Sequence, residues 1–189
     1  MNRLSCLLAL LLLIAVAVPA TAGQWPHERD GFMLGFNLGA GTATAKPDVG
    51  ESDSGGGGSG SFRAAWAFSN QFLVGLESTA WVGTTDLDTE LTLSSYKLNF
   101  TWYPAAKGWF LRGGFGAGTA RISTTIFGPE WSVSDSGGSF GVGAGHEWRL
   151  TRTFALGVAV DYCTIDLDED SNFSNFDFVN YTAQLNWYF

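Results

Sequence analysis

The side chains whose types and spacing could do chemistry are Arg63, Glu77, Lys97, Arg112, Glu147, Arg149 and Asp161. Each sits among small or polar residues at steps of two, with apolar residues between, as Lys97 and Asn99 alternate with Leu98 and Phe100. In an extended chain this parity sends all seven to one side of a sheet. Charges removed from water must pair or hold water, because an unpaired buried charge is costly. The set therefore predicts a packed polar interior or a path lined by charges. Arg63 and Glu77 both lie seven residues from Asn70, so a turn centred there sets them opposite each other.

Nucleophilic catalysis needs a base within hydrogen-bond reach of its nucleophile. The two histidines do not supply one: His27 precedes the first patterned stretch, and His146 has the parity of the apolar face. Cys163 shares the parity of the charges but has no histidine beside it, so it reads as a small core-filler. No catalytic group and no cofactor is expected. The stretch Asp166-Leu-Asp168-Glu169-Asp170-Ser-Asn172, with Asp177 beyond it, echoes a calcium loop. It lacks the turn glycine and the closing glutamate of that loop, so no dedicated metal site is expected.

The elements that must position these residues are strands. In the final nine residues, Tyr181, Ala183, Leu185, Trp187 and Phe189 alternate with Thr182, Gln184, Asn186 and Tyr188. Seven earlier stretches alternate in the same way, beginning with Phe32, Leu34, Phe36 and Leu38, and ending with Phe154, Leu156, Val158, Val160 and Tyr162. Leu91 and Leu93 break the parity of Tyr96, Leu98, Phe100 and Trp102, which predicts a bulge or loop near Ser94-Ser95. The connections alternate in length. Residues 44–60 (with the run Gly55-Gly-Gly-Gly-Ser-Gly60), 83–92, 121–137 and 166–175 read as long, mostly acidic loops, whereas Asn70, Tyr103 to Lys107, and Thr151-Arg152 mark short turns.

Eight strands joined by long and short connections in strict alternation predict an all-β, eight-stranded antiparallel up-and-down transmembrane barrel. Aromatics sort by height. Phe68, Phe72, Trp102, Trp109, Trp148, Phe154, Trp187 and Phe189 cluster near the short turns, as a belt on the periplasmic side. Tyr96, Phe140, Tyr162 and Tyr181 lie towards the long loops, and aliphatic residues fill the band between. Two belts around an aliphatic band match the two interfaces of a bilayer. A net charge of −8 leaves no basic stripe for nucleic acid. Residues 1–22 read as a secretory signal peptide: Arg3, the apolar run Leu4 to Val18, and the small-x-small site Ala20-Thr-Ala22. Residues 23–30 form a short polar lead-in and residues 31–189 the barrel. Removal of the signal takes Cys6 with it and leaves Cys163 with no partner for a disulfide.

The alternation, the stretches Phe110-Leu-Arg-Gly-Gly-Phe-Gly-Ala-Gly118 and Leu98-Asn-Phe-Thr-Trp-Tyr-Pro104, and the terminal Phe189 resemble the small bacterial outer-membrane β-barrel family. That family includes the OmpA transmembrane domain and the OmpX and Ail adhesin-like barrels. The resemblance covers residues 31–189 and implies a cell outer-membrane location reached through the periplasm. It implies that Tyr181, Ala183, Leu185, Trp187 and Phe189 form a recognition signal for the barrel-assembly machinery. It also implies a monomer embedded in outer-membrane lipid and lipopolysaccharide, with a structural or surface-interactive, adhesin-like role and an extracellular ligand at the acidic loops. Divalent cations bridging those loops to lipopolysaccharide phosphates would suit their charge. The alternative role is a narrow pore for small solutes or ions.

Overall fold

A computed structural model describes residues 28–47, 53–84, 89–125, 130–167 and 173–189. Eight strands follow in order: β1 (Gly31–Pro47), β2 (Asp53–Ala67), β3 (Phe72–Thr84), β4 (Thr89–Trp102), β5 (Trp109–Thr125), β6 (Glu130–Arg149), β7 (Phe154–Leu167) and β8 (Phe173–Tyr188). Each pairs antiparallel with its sequence neighbours, and β1 pairs with β8 to close the ring. Closure leaves no strand edge in need of a partner. The fold is the eight-stranded up-and-down barrel that the alternation calls for.

Parity decides which side chain goes where. Phe36, Trp66, Leu76, Tyr96, Leu111, Phe115, Val160 and Tyr181 point out and are exposed. Their neighbours one step along, including Asn37, Ala65, Glu77, Lys97, Arg112, Ala159 and Thr182, are buried in the lumen. Outward-facing aromatics are not confined to two belts. Phe36 and Phe62 pack against each other across β1 and β2, as do Phe100 and Phe115 across β4 and β5, within the aliphatic band.

Two expectations change. Strands of 13 to 20 residues exceed the roughly 10 that cross a bilayer's hydrocarbon, and the excess lies at the end away from the short turns. Much of what composition suggests is loop is therefore strand: Gly55 to Gly60 pairs in register with Ala43 to Leu38 of β1. The reason is inside. A Cβ on Gly57 would stand 2.3 Å from the Val82 carbonyl oxygen and 2.6 Å from the Trp81 ring, so glycine there makes room for the neighbouring strand and an indole rather than flexibility. Nor is there a bulge at Ser94-Ser95. The β4 register runs unbroken on both sides, and Leu91 and Leu93 face the lumen with Ser95 and Lys97. The upper lumen is apolar, which reverses the hydrophobic parity without any slip in the backbone.

Candidate functional site

The lumen is layered. Nearest the short turns, Met33, Ala65, Ala67, Leu73, Tyr103, Phe110, Ala155, Ala159 and Tyr188 form one buried apolar cluster. Towards the far end Ala43, Trp81, Leu91, Leu93, Ala120, Cys163, Ile165, Phe176 and Phe178 form another. The charged residues lie between and below these layers.

In the middle layer the register sets Glu77 directly opposite both Arg63 on β2 and Lys97 on β4. The register thus keeps Arg63 opposite Glu77 as the sequence predicts, and the closest side-chain contacts are made elsewhere. Lys97 stays near Glu77, with its Nζ 3.9 Å from the carboxylate, and Asn99 and Thr79 each donate to that carboxylate at 3.1 Å. Arg63 leans away towards β8 and donates to Asn186 at 3.4 Å. Arg112 makes a bidentate pair with Asp161. With its amide oxygen turned to Arg112, Gln184 accepts from both terminal guanidinium nitrogens at 3.1 Å. Such fork-on-carboxylate geometry is the strongest form of ion pair available to a protein interior.

Next to this layer lies a cavity of about 20 Å³, bordered by Ser59, Glu77, Lys97, Cys163, Asn180 and Thr182 among others. One water or a diatomic molecule fits a space of that size. Ser59 Oγ, Asn180 Oδ1 and Thr182 Oγ1 are buried there without a hydrogen-bond partner.

The second charged cluster closes the turn end. Glu147 is wholly buried and accepts from Tyr188 Oη at 2.7 Å, Asn186 Nδ2 at 2.8 Å and Arg29 at 3.1 Å. Arg149 lies 3.6 Å from the same carboxylate. Arg29 stacks on the Tyr103 ring at 3.4 Å and Arg149 on the Tyr188 ring at 3.6 Å, cation over π-face. Arg29 also donates to the carbonyls of Asn70 and Lys107, so the segment before β1 crosses two turns and stoppers the barrel. Burial works against its charge, but Tyr103, Glu147 and Tyr188 more than offset this and hold its pKa above the ordinary arginine value. At Tyr103, in the turn after β4, burial and then Glu147 raise the phenol, which keeps it a proton donor. Arg29 is not legible in the sequence because the lead-in has no period; its one signal is an arginine two residues before the first strand.

Of the residues singled out by sequence, all seven charges are inside, in two groups rather than one network. Phe68, Phe72, Trp102, Trp109 and Phe189 are exposed on the outer wall near the short turns, with Trp148, Phe154 and Trp187 half-buried beside them. Trp187 packs on Phe36 and Phe154. Tyr181, Ala183 and Leu185 continue the outward row of β8. His146 points outward between Trp109 and Trp148, at 4.8 and 4.7 Å between ring centroids. The acidic stretches at Asp86, Asp88, Asp168, Glu169 and Asp170, and the signal at 1–22, lie outside the described residues. Among the described residues no three of His, Cys, Asp or Glu gather to hold a metal.

The family described as outer membrane protein beta-barrel domain matches residues 8–189. Among solved structures, the Neisserial surface protein NspA is 18% identical, with TM-score 0.60 over 85% of this chain and 98% of its own. Ail, the attachment invasion locus protein of Yersinia pestis, is 16% identical, with TM-score 0.54 over 84% of this chain and 98% of its own. A comparison with curated proteins finds no match.

Proposed function

The chain belongs to the outer membrane protein beta-barrel domain family, and from that footing we propose that it is a non-enzymatic surface protein acting through its outer end, not its lumen. One observation carries this reading: the lumen is packed shut at two levels, by Trp81, Leu93, Ile165, Phe176 and Phe178 above and by Arg29 with its tyrosines below. What the molecule offers is then its outer wall and its outer connections. Secretion by a signal over residues 1–22, a lead-in from 23 and a barrel from 31 complete the reading. So do insertion as a monomer through a C-terminal assembly signal (Tyr181, Ala183, Leu185, Trp187, Phe189) and a bed of outer-membrane lipid and lipopolysaccharide.

Charge narrows the partner. One structure of Ail holds the heparin analogue sucrose octasulfate. At a net charge of −8 this chain would repel such a polyanion, so the acidic connections should take a basic partner, or an anion through divalent cations. The test uses purified protein and lipopolysaccharide. Calcium should strengthen binding, and replacing Asp86, Asp88, Asp168, Glu169 and Asp170 by their amides should abolish the calcium effect while heat-modifiable electrophoretic mobility persists. Equal binding with and without calcium would defeat it.

A pore is the second reading, favoured by the polar layer of Arg63, Glu77, Lys97, Arg112 and Asp161. It requires reproducible conductance in planar bilayers that changes with Glu77→Gln. The packed lumen leads us to expect none.

A further inference from the structure

Lys97 and Cys163 sit on β4 and β7, strands that are not neighbours in the sheet, yet their tips meet inside the lumen. The ammonium donates to the thiol sulfur at 3.3 Å, and both side chains are about 95% or more buried. Ser139 Oγ at 3.5 Å and Ser95 Oγ at 3.9 Å hold the sulfur from either side. Lys97 takes no part in closing the barrel ends, and Cys163 belongs to the upper apolar cluster. A polar pocket joins them. The roughly 20 Å³ cavity is bordered by both residues, and the unpartnered Ser59 Oγ, Asn180 Oδ1 and Thr182 Oγ1 face it, on side chains more than nine-tenths buried. A space next to the sulfur that fits one small diatomic molecule, with polar groups able to receive a water, is what an oxidative coupling of this pair requires.

We propose that Lys97 and Cys163 form an oxygen-bridged cross-link, Nζ–O–Sγ, with dioxygen as the oxidant. Dioxygen inserts into the thiol S–H to give S–O–O–H, oxidising sulfur and reducing oxygen to the peroxide level. The lysine ammonium gives a proton to the Glu77 carboxylate, 3.9 Å away. The free amine then attacks the sulfur-bound oxygen. The N–O bond forms as the O–O bond breaks, and the departing hydroxide takes a proton from nitrogen and leaves as water. In sum, one thiol, one amine and one dioxygen give the bridge and one water. The link staples β4 to β7 across the lumen, where a disulfide is unavailable because Cys163 is a free cysteine. As with other reversible cysteine oxidation products, thiol reductants should undo it.

The test is the intact mass of the folded protein, purified from membranes without reductant and then denatured. The bridge adds one oxygen and removes two hydrogens, so the expected mass is about 14 Da above the dithiothreitol-treated value. A trypsin digest should join Ala64–Lys107 to Thr153–Phe189, because a blocked Lys97 is no longer cut. Lys97→Arg and Cys163→Ser should each lose the shift. The proposal is overturned if, after exposure to air and peroxide, the wild-type thiol is still fully alkylated on unfolding. It is equally overturned by gains of about 16 or 32 Da on Cys163 alone, the sulfenic and sulfinic acids. Should either variant fail to fold, the wild-type peptide map still decides.

Discussion

Glu147 carries more contacts than any other charge in the lumen: two guanidiniums, two tyrosines and an asparagine converge on one carboxylate. Removing it strands Arg29 and Arg149 in a site closed to water. Glu147→Ala should therefore cost about 3–5 kcal/mol, the usual result of breaking a buried ion pair from one side. Arg29→Ala leaves Glu147 its second arginine and should cost clearly less. Urea unfolding in lipid vesicles compares the two, and equal losses would contradict the shared-carboxylate picture. Outside the membrane band, Asp177 pairs with Lys46 at 2.5 Å and accepts from Tyr162 Oη at 2.9 Å. Burial alone would push this carboxyl up, but hydrogen bonds from Lys46, Thr164 and Tyr162 outweigh it and hold it below its ordinary value. A depressed acid contributes stability above its unfolded pKa, near 4, and loses it as pH falls through the folded value. The stability difference between wild type and Asp177→Asn should thus shrink on acidification; a difference independent of pH would count against it. At this scale the sequence was readable where a period existed. Parity alone placed all seven charges inside, but it could not say that Arg63 would turn from Glu77 to Asn186, because that choice depends on β8, which is distant in sequence and adjacent only after closure.

Strands show where composition misleads. The run Gly55 to Gly60 looks like a flexible linker, yet consecutive glycines in it do opposite things. Gly57 faces inward against Trp81, whereas a Cβ on Gly58 would meet nothing within 4 Å. Gly57→Ala should destabilise by about 1–3 kcal/mol through overpacking. Gly58→Thr should be neutral or stabilise by up to about 1 kcal/mol through strand propensity. Matched unfolding curves separate these outcomes, and similar losses would mean that the segment is not the strand described here. Excising residues 50–60 as if they were loop would remove part of β2 and should prevent folding. Leu91 and Leu93 teach the same lesson from the other side. Alternation reports which residues share a face, but polarity names that face correctly only while the lumen stays polar, and above Lys97 it does not.

For the whole molecule, the outer wall is the informative surface. Among the described residues, from the short turns upward, the first charged outward side chains on their strands are Lys46, Glu90, Arg121, Asp166 and Asp177, and below them the outward polar rings are His146, Tyr96, Tyr162 and Tyr181. Below this line the wall presents Leu76, Leu111, Phe115, Val142 and Val160 to the surroundings. Leu76→Arg should cost about 2–4 kcal/mol in a bilayer, as a cation on the lipid face at mid-depth does. The same change at Thr44, near the charged line, should cost little. Refolding yield into vesicles tests both, and a tolerated Leu76→Arg would move the hydrocarbon elsewhere. Architecture was the most legible scale, because it is written redundantly in every strand. The stopper formed by Arg29 was the least legible, being one residue with no repeat behind it.

Closure by β1 on β8 sets a condition on biogenesis. The amide and carbonyl of Phe32 bond to those of Phe189, so the first of the eight strands finds its second partner only in the eighth. Until β8 is in place that edge has no partner, and hydrocarbon does not tolerate bare peptide groups. Ring closure therefore ties the burial of the first strand's outer edge to the placement of the last, and makes all eight strands one unit of insertion.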